Sequence, residues 1–193
     1  MAMVKIHPEP QNAILFAGSS IFHFWTSLAA DMAPLPVVNQ AFPGARMESV
    51  LRAAEKLIFP YQPKIIVYYC GSNDINDGAG VPDLARGFEV FVEAVRKKLP
   101  AARIFFVSVN KAPQKKDKWD LIDAANDRIR EWCDKTEALG FIDINPPFSD
   151  EDRPRTDLFL EDGLHFRPEA YAAVARIIRP VLTAAWTQAA RGE

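Results

Sequence analysis

Ala13-Ile14-Leu15-Phe16-Ala17-Gly18-Ser19-Ser20 is an apolar run closed by a glycine-serine-serine turn. A short unbroken apolar run that ends at glycine reads as a buried strand, here Asn12–Ala17. Ile21–Met32 then reads as a helix. The alternation continues down the chain. Pro36–Gln40 is a short second strand. Met47–Phe59 carries Val50, Leu51, Ala54, Leu57 and Ile58 at helical spacing. Lys64–Cys70 is a β-branched and aromatic run of the kind covered on both faces. Pro82 opens a helix to Leu99, stopped by Pro100. Arg103–Val109 is the fourth strand, Asp117–Leu139 a long helix with Gly140 as its C-terminal stop, and Phe141–Ile144 a short fifth strand. Pro168 begins a last helix through Ala190. This βαβα order implies an α/β fold with a mostly parallel five-stranded sheet and helices on both faces.

The 193 residues fit one domain, 1–193, with residues 1–11 as an N-terminal tail. No repeat, low-complexity tract or long linker divides them, and the Pro-rich, charged stretch Asn145–Thr156 reads as an ordered loop. Hydrophobic residues make up 49% and charged residues 25%, near the averages for globular proteins. A net charge of −2 supplies no electrostatic reason to expect nucleic acid or an anionic membrane as partner. Lys115, Lys116 and Lys118 read as a solvated loop. Cys70 and Cys133 form neither a disulfide framework nor a CxxC pair, and Cys70 reads as a small core residue. No apolar stretch is long enough to span a membrane, and Met1–Pro10 lacks the apolar core of a signal peptide. The expected compartment is the cytoplasm.

In a parallel α/β sheet the functional crevice lies beyond the carboxyl ends of the strands. Four blocks stand there: Gly18-Ser19-Ser20 after strand one, Asn39 and Phe42-Pro43-Gly44 after strand two, Gly71-Ser72-Asn73-Asp74 after strand three, and Asp162-Gly163-Leu164-His165 before the last helix. A serine hydroxyl is a weak nucleophile unless a base takes its proton. An imidazole held by a carboxylate performs that task. Ser20 would sit at a helix N-terminus among free N–H groups. Gly44, without a Cβ, lets its own N–H approach a bound oxygen. The Asn73 amide is a neutral donor for a developing oxyanion. Each block alone has an ordinary reading: an N-cap serine, a turn glycine after proline, an Asx-turn, a surface Asp–His pair. Asp74 and Asp77 read as turn formers. His7 falls in the tail, and His23 has no nearby carboxylate in sequence. Together the blocks fill nucleophile, donors, base and orienter without duplication. A metal site would need a third ligand that no cluster supplies, so no metal is expected.

These four blocks resemble those of the SGNH hydrolase superfamily, the GDSL esterases and lipases, over Ile14–Pro180. The Gly-Asp-Ser of the first block is matched by Gly18-Ser19-Ser20, the block-two glycine by Gly44, the Gly-x-Asn-Asp by Gly71–Asp74, and the Asp-x-x-His by Asp162–His165. Ser19 replaces the usual aspartate, which leaves Ser19 as the alternative nucleophile, although block alignment favours Ser20. The resemblance implies a flavodoxin-like three-layer α/β/α fold and cofactor-free hydrolysis of a small-molecule acyl ester. It implies Ser20 as nucleophile, His165 as base, Asp162 as orienter, and Ser20, Gly44 and Asn73 as oxyanion donors. The Gly-x-Ser-x-Gly elbow of α/β-hydrolases is absent. Phe42, Pro43, Met47, Trp119, Phe159 and Leu160 are candidates to line an acyl pocket, each equally readable as core or loop packing. Arg46 and Lys111 read as surface residues with a weaker claim to a charged leaving group. A sugar, a small alcohol or a lysophospholipid would all be compatible alcohol halves. Acyl transfer to an alcohol, and a non-catalytic binding module, are the alternatives.

Overall fold

The structure, a computed structural model, describes residues 10–150 and 153–191. His7 and most of the expected tail, residues 1–11, lie outside the described residues. Five parallel strands form the central sheet: β1 (Ile14–Gly18), β2 (Val37–Asn39), β3 (Ile65–Tyr69), β4 (Arg103–Val107) and β5 (Leu139–Ile142). Their order is β2-β1-β3-β4-β5, with Ile14 in register with both Val37 and Ile65. The chain leaves β1 in one direction and returns to β3 on its other side. The switch point, where such sheets open a crevice, therefore lies between β1 and β3.

Alternate strand residues feed two cores, because successive side chains point to opposite faces. Ile14, Phe16, Ile65, Val67 and Tyr69 pack against α1 (Ser20–His23), α2 (Leu28–Asp31) and α7 (Pro168–Arg191). Leu15, Ala17, Ile66, Tyr68 and Phe106 pack against α3 (Met47–Leu57), α5 (Val81–Lys98) and α6 (Trp119–Asp134). Both faces of β1 and β3 are thus buried, as their unbroken apolar sequences predict. Tyr68 stacks on Phe88 and Phe91 at the centre of the second core. Among the described residues no helix is long and apolar enough to cross a membrane.

The structure corrects several expectations. The helix expected over Ile21–Met32 is two short helices, α1 and α2, separated by Phe24–Ser27. Phe22 and Trp25 are both buried against Phe16. The Asn39 amide donates to the Phe22 carbonyl, and the Trp25 indole donates to Asp31 Oδ2, fixing the break. Gly140 lies inside β5 and stops no helix; α6 ends five residues earlier than expected, at Asp134. A short helix, α4 (Ser72–Asn76), was not expected after β3. Within Asn145–Thr156 a 3-10 turn at Pro146–Phe148 leads to a two-residue ribbon pair, β6 (Ser149–Asp150) and β7 (Arg153–Pro154). Lys115 is not solvated: it is buried, with its ammonium on Asn76 Oδ1.

Candidate active site

Gly18 ends β1 with φ +142°, a conformation closed to most L side chains. A Cβ there would lie 1.8 Å from the Tyr69 carbonyl oxygen. This close approach lets the Ser19 N–H bond Tyr69 O at 3.0 Å and turns the chain sharply into α1. Ser19 goes inward and is buried, while its neighbour Ser20 opens to the crevice as the first residue of α1. The loop after β2 is tied to the same edge: the Gln40 N–H bonds Phe16 O and the Phe42 N–H bonds Gly18 O.

The other end of the chain arrives as a tight loop. Oδ1 of Asp162 accepts the backbone N–H groups of Leu164 (2.9 Å) and His165 (3.0 Å). Gly163, at φ +64°, makes that turn possible. Beneath it Phe148, Phe159 and Phe166 pack as a buried aromatic cluster. The second Asp162 oxygen faces His165 Nδ1 at 2.6 Å, and His165 Nε2 stands 3.0 Å from Ser20 Oγ. The two bonded side chains are 145 residues apart in sequence. Burial raises the Asp162 carboxyl, but the His165 ring and the two backbone N–H groups outweigh it and hold the group at about 2. An ionised Asp162 facing Nδ1 places the imidazole proton there and leaves Nε2 as acceptor toward the serine hydroxyl.

Asn73, the second residue of α4, donates from Nδ2 to the carbonyl of Ala45 at 2.9 Å. That bond joins the β3 loop to the residue after Gly44, and the amide still carries a second hydrogen. Among the described residues, the N–H groups of Ser20 and Gly44 have no backbone carbonyl partner. Asp74 supports this corner: its Oδ1 accepts the Met47 N–H at the start of α3, and Asp77 pairs with Arg46. Burial raises the Asp74 carboxyl, outweighing its bond to Met47 N–H.

Of the remaining expected residues, Met47, Trp119 and Phe159 are buried in the two cores, and the Trp119 indole donates to Ala112 O. Trp119 and Phe159 belong to the packing, whereas Met47 also lines a cleft with Leu51, Arg86 and Val90. Phe42 is half-buried against the second core; Pro43 and Leu160 are exposed. Lys111 pairs with Asp123 and lies over the Trp119 ring, so like Arg46 it already has a partner. His23 Nδ1 lies 3.0 Å from Ala41 O, leaving His165 as the imidazole on Ser20. Phe24 was missed. Its ring meets the His165 ring edge-on at 5.1 Å, and its place four residues after Ser20, one helical turn on, was the available signal. Among the described residues no group of three or more His, Cys, Asp and Glu side chains could hold a metal ion.

The sequence profile of the GDSL-like Lipase/Acylhydrolase family matches residues 15–173. The chain belongs to this family. It is accordingly a GDSL-family hydrolase acting on esters. Solved structures similar to this GDSL-family chain include a proposed acylhydrolase from Bacteroides fragilis, at TM-score 0.80 and 18% identity, covering 93% of this chain and 92% of that one. A GDSL-like lipase from Bacteroides thetaiotaomicron has TM-score 0.77 and 17% identity, with 90% and 89% covered. A carbohydrate esterase family 3 structure from Talaromyces cellulolyticus has TM-score 0.70 and 16% identity, with 89% and 96% covered. At these identities the likeness is one of fold. A comparison with curated proteins finds no match.

Proposed function

We propose that this chain is a serine esterase that cleaves a small-molecule acyl ester through an acyl-enzyme on Ser20. The observation that carries this reading is the unbroken relay from Asp162 through His165 to Ser20, at 2.6 and 3.0 Å. Ser20 Oγ attacks the ester carbonyl as His165 Nε2 takes its proton. Asp162 holds the ring tautomer and stabilises the imidazolium. The N–H groups of Ser20 and Gly44 and the Asn73 amide receive the oxyanion. His165 then protonates the departing alcohol as the carbonyl–oxygen bond breaks. Water, deprotonated by His165, attacks the acyl-enzyme, releases the acid and restores the Ser20 hydroxyl. We read the described residues as one domain, because both cores share the same sheet.

Labelling with a fluorophosphonate probe and turnover of p-nitrophenyl acetate test the reading together. Wild type is expected to label and turn over, and Ser20→Ala to do neither. Undiminished turnover by Ser20→Ala would remove Ser20 from the mechanism.

A further inference from the structure

The ribbon that delivers His165 also delivers a second side chain. The Leu160 N–H bonds His165 O at 2.8 Å and the Arg167 N–H bonds Leu158 O at 2.9 Å, with Phe159 facing Phe166 between them. Directly opposed residues in an antiparallel pair project to the same side, and the next pair to the other. Phe159 and Phe166 project inward and are buried with their rings 5.5 Å apart. Leu160 and His165 therefore share the outward side. Phe24 reaches the same imidazole from just past the end of α1: its N–H bonds Ser20 O at 2.9 Å, one turn above the nucleophile, and its ring lies edge-on to His165.

Phe24 and Leu160 are each 46% exposed. Among the described residues the third exposed large hydrophobic is Val181, on α7. Single exposed apolar side chains need no explanation, but these two flank one imidazole. The proposed oxyanion donors are Gly44 on the loop after β2 and Asn73 on α4 after β3, whereas His165 enters from the loop before α7. When Ser20 attacks, the carbonyl oxygen turns to those donors and the leaving oxygen turns to His165, which must protonate it. The alcohol half of the ester consequently departs across Phe24 and Leu160.

Resting on the esterase reading above, we infer that Phe24 and Leu160 form the leaving-group subsite and select esters whose alcohol is apolar, aryl or alkyl, over esters of polyhydroxy alcohols. Desolvating hydroxyl groups against an apolar rim that offers them no partners is costly, while an apolar alcohol gains from the contact.

The test holds the acyl group constant and compares benzyl acetate with glycerol monoacetate. Wild type is expected to favour benzyl acetate in kcat/KM by about tenfold or more. Phe24→Ser and Leu160→Ser are each expected to cut that ratio by at least about threefold. Equal kcat/KM for the two esters in wild type overturns the subsite, as does a loss in both variants that falls equally on both esters. That uniform loss would mean the side chains only position His165. Fluorophosphonate labelling separates the two levels. A labelled, active wild type with a flat alcohol preference removes only the subsite. An unlabelled, inactive wild type removes the esterase reading and the subsite with it.

Discussion

Ser19 and Ser20 are chemically identical neighbours with different surroundings. Ser19 is 2% exposed with its N–H on Tyr69 O, whereas Ser20 presents its hydroxyl to His165. The Gly18 turn makes that division, and position in the turn rather than residue type sets which hydroxyl can react. Asp162 is fixed in a comparable way, with three donors on its two oxygens. Replacing it by Asn substitutes an amide for the acceptor that holds the ring tautomer, and kcat for p-nitrophenyl acetate is expected to fall about 10⁴-fold. The same contacts make Asp162 a source of pH-dependent stability. Its folded-state value is depressed to about 2 from the model-compound value of 3.8. Its contribution is therefore complete above the unfolded value and disappears as pH falls through the folded one. Urea unfolding of wild type and Asp162→Asn should show a stability difference at pH 6 that shrinks between pH 4 and pH 2.

At the level of elements, the β1–β3 contact tolerates no side chain at Gly18. A Cβ would overlap the Tyr69 carbonyl, and the positive φ adds strain. Gly18→Ala is expected to lose more than about 3 kcal/mol in chemical denaturation. The α4 helix depends on two lysines from the β4–α6 loop. Lys115 Nζ donates to Asn76 Oδ1 and Lys118 Nζ to the Ile75 carbonyl at 3.2 Å, placing positive charge at the C-terminal end of the helix that carries Asn73. Burial, then the neighbouring Lys118 charge, pushes Lys115 down to about 8, against a smaller raising effect of Asp117. The folded state therefore disfavours the charged form, and between pH 8 and 10.5 the unfolded chain binds more protons at this residue. Its contribution to stability rises with pH across that window. Wild-type stability minus that of Lys115→Met is thus expected to increase from pH 8 to pH 10 in urea titrations. The sequence reading placed Lys115 in solvent because a lysine-rich run is normally solvated. Only the packing of this loop on α4 could reverse that reading.

Across the whole molecule, the first and last helices are clasped together. The Tyr171 hydroxyl donates to the Ile21 carbonyl at 2.8 Å across 150 residues of sequence, and its ring stacks on Trp25 at 5.3 Å. Tyr171→Phe leaves a buried carbonyl without its donor and is expected to cost about 1–3 kcal/mol, read from the denaturant midpoint. The strands were legible because β1 and β3 are buried on both faces, which writes an unbroken apolar run into the chain. Three of the four blocks were legible because parallel topology puts every strand's carboxyl end on one edge, and the fourth because its Asp-x-x-His stands just before the last helix. Phe22 and Trp25 fit a helical period, so the break between α1 and α2 was hidden; it arises from the Asn39 and Asp31 hydrogen bonds, made by residues outside α1. Gly140 looked like a helix stop because glycine serves both as C-cap and in a strand crowded by an aromatic ring, and here Phe105 occupies the space its Cβ would need. Local residue pattern alone determined the order of the five sheet strands and of the long helices, and the chemical types gathered at one edge of the sheet. Tertiary structure decided which serine faces the imidazole, which aromatics are core and which rim, and which lysine is buried, because each depends on contacts between segments whose separation in sequence carries no distance information.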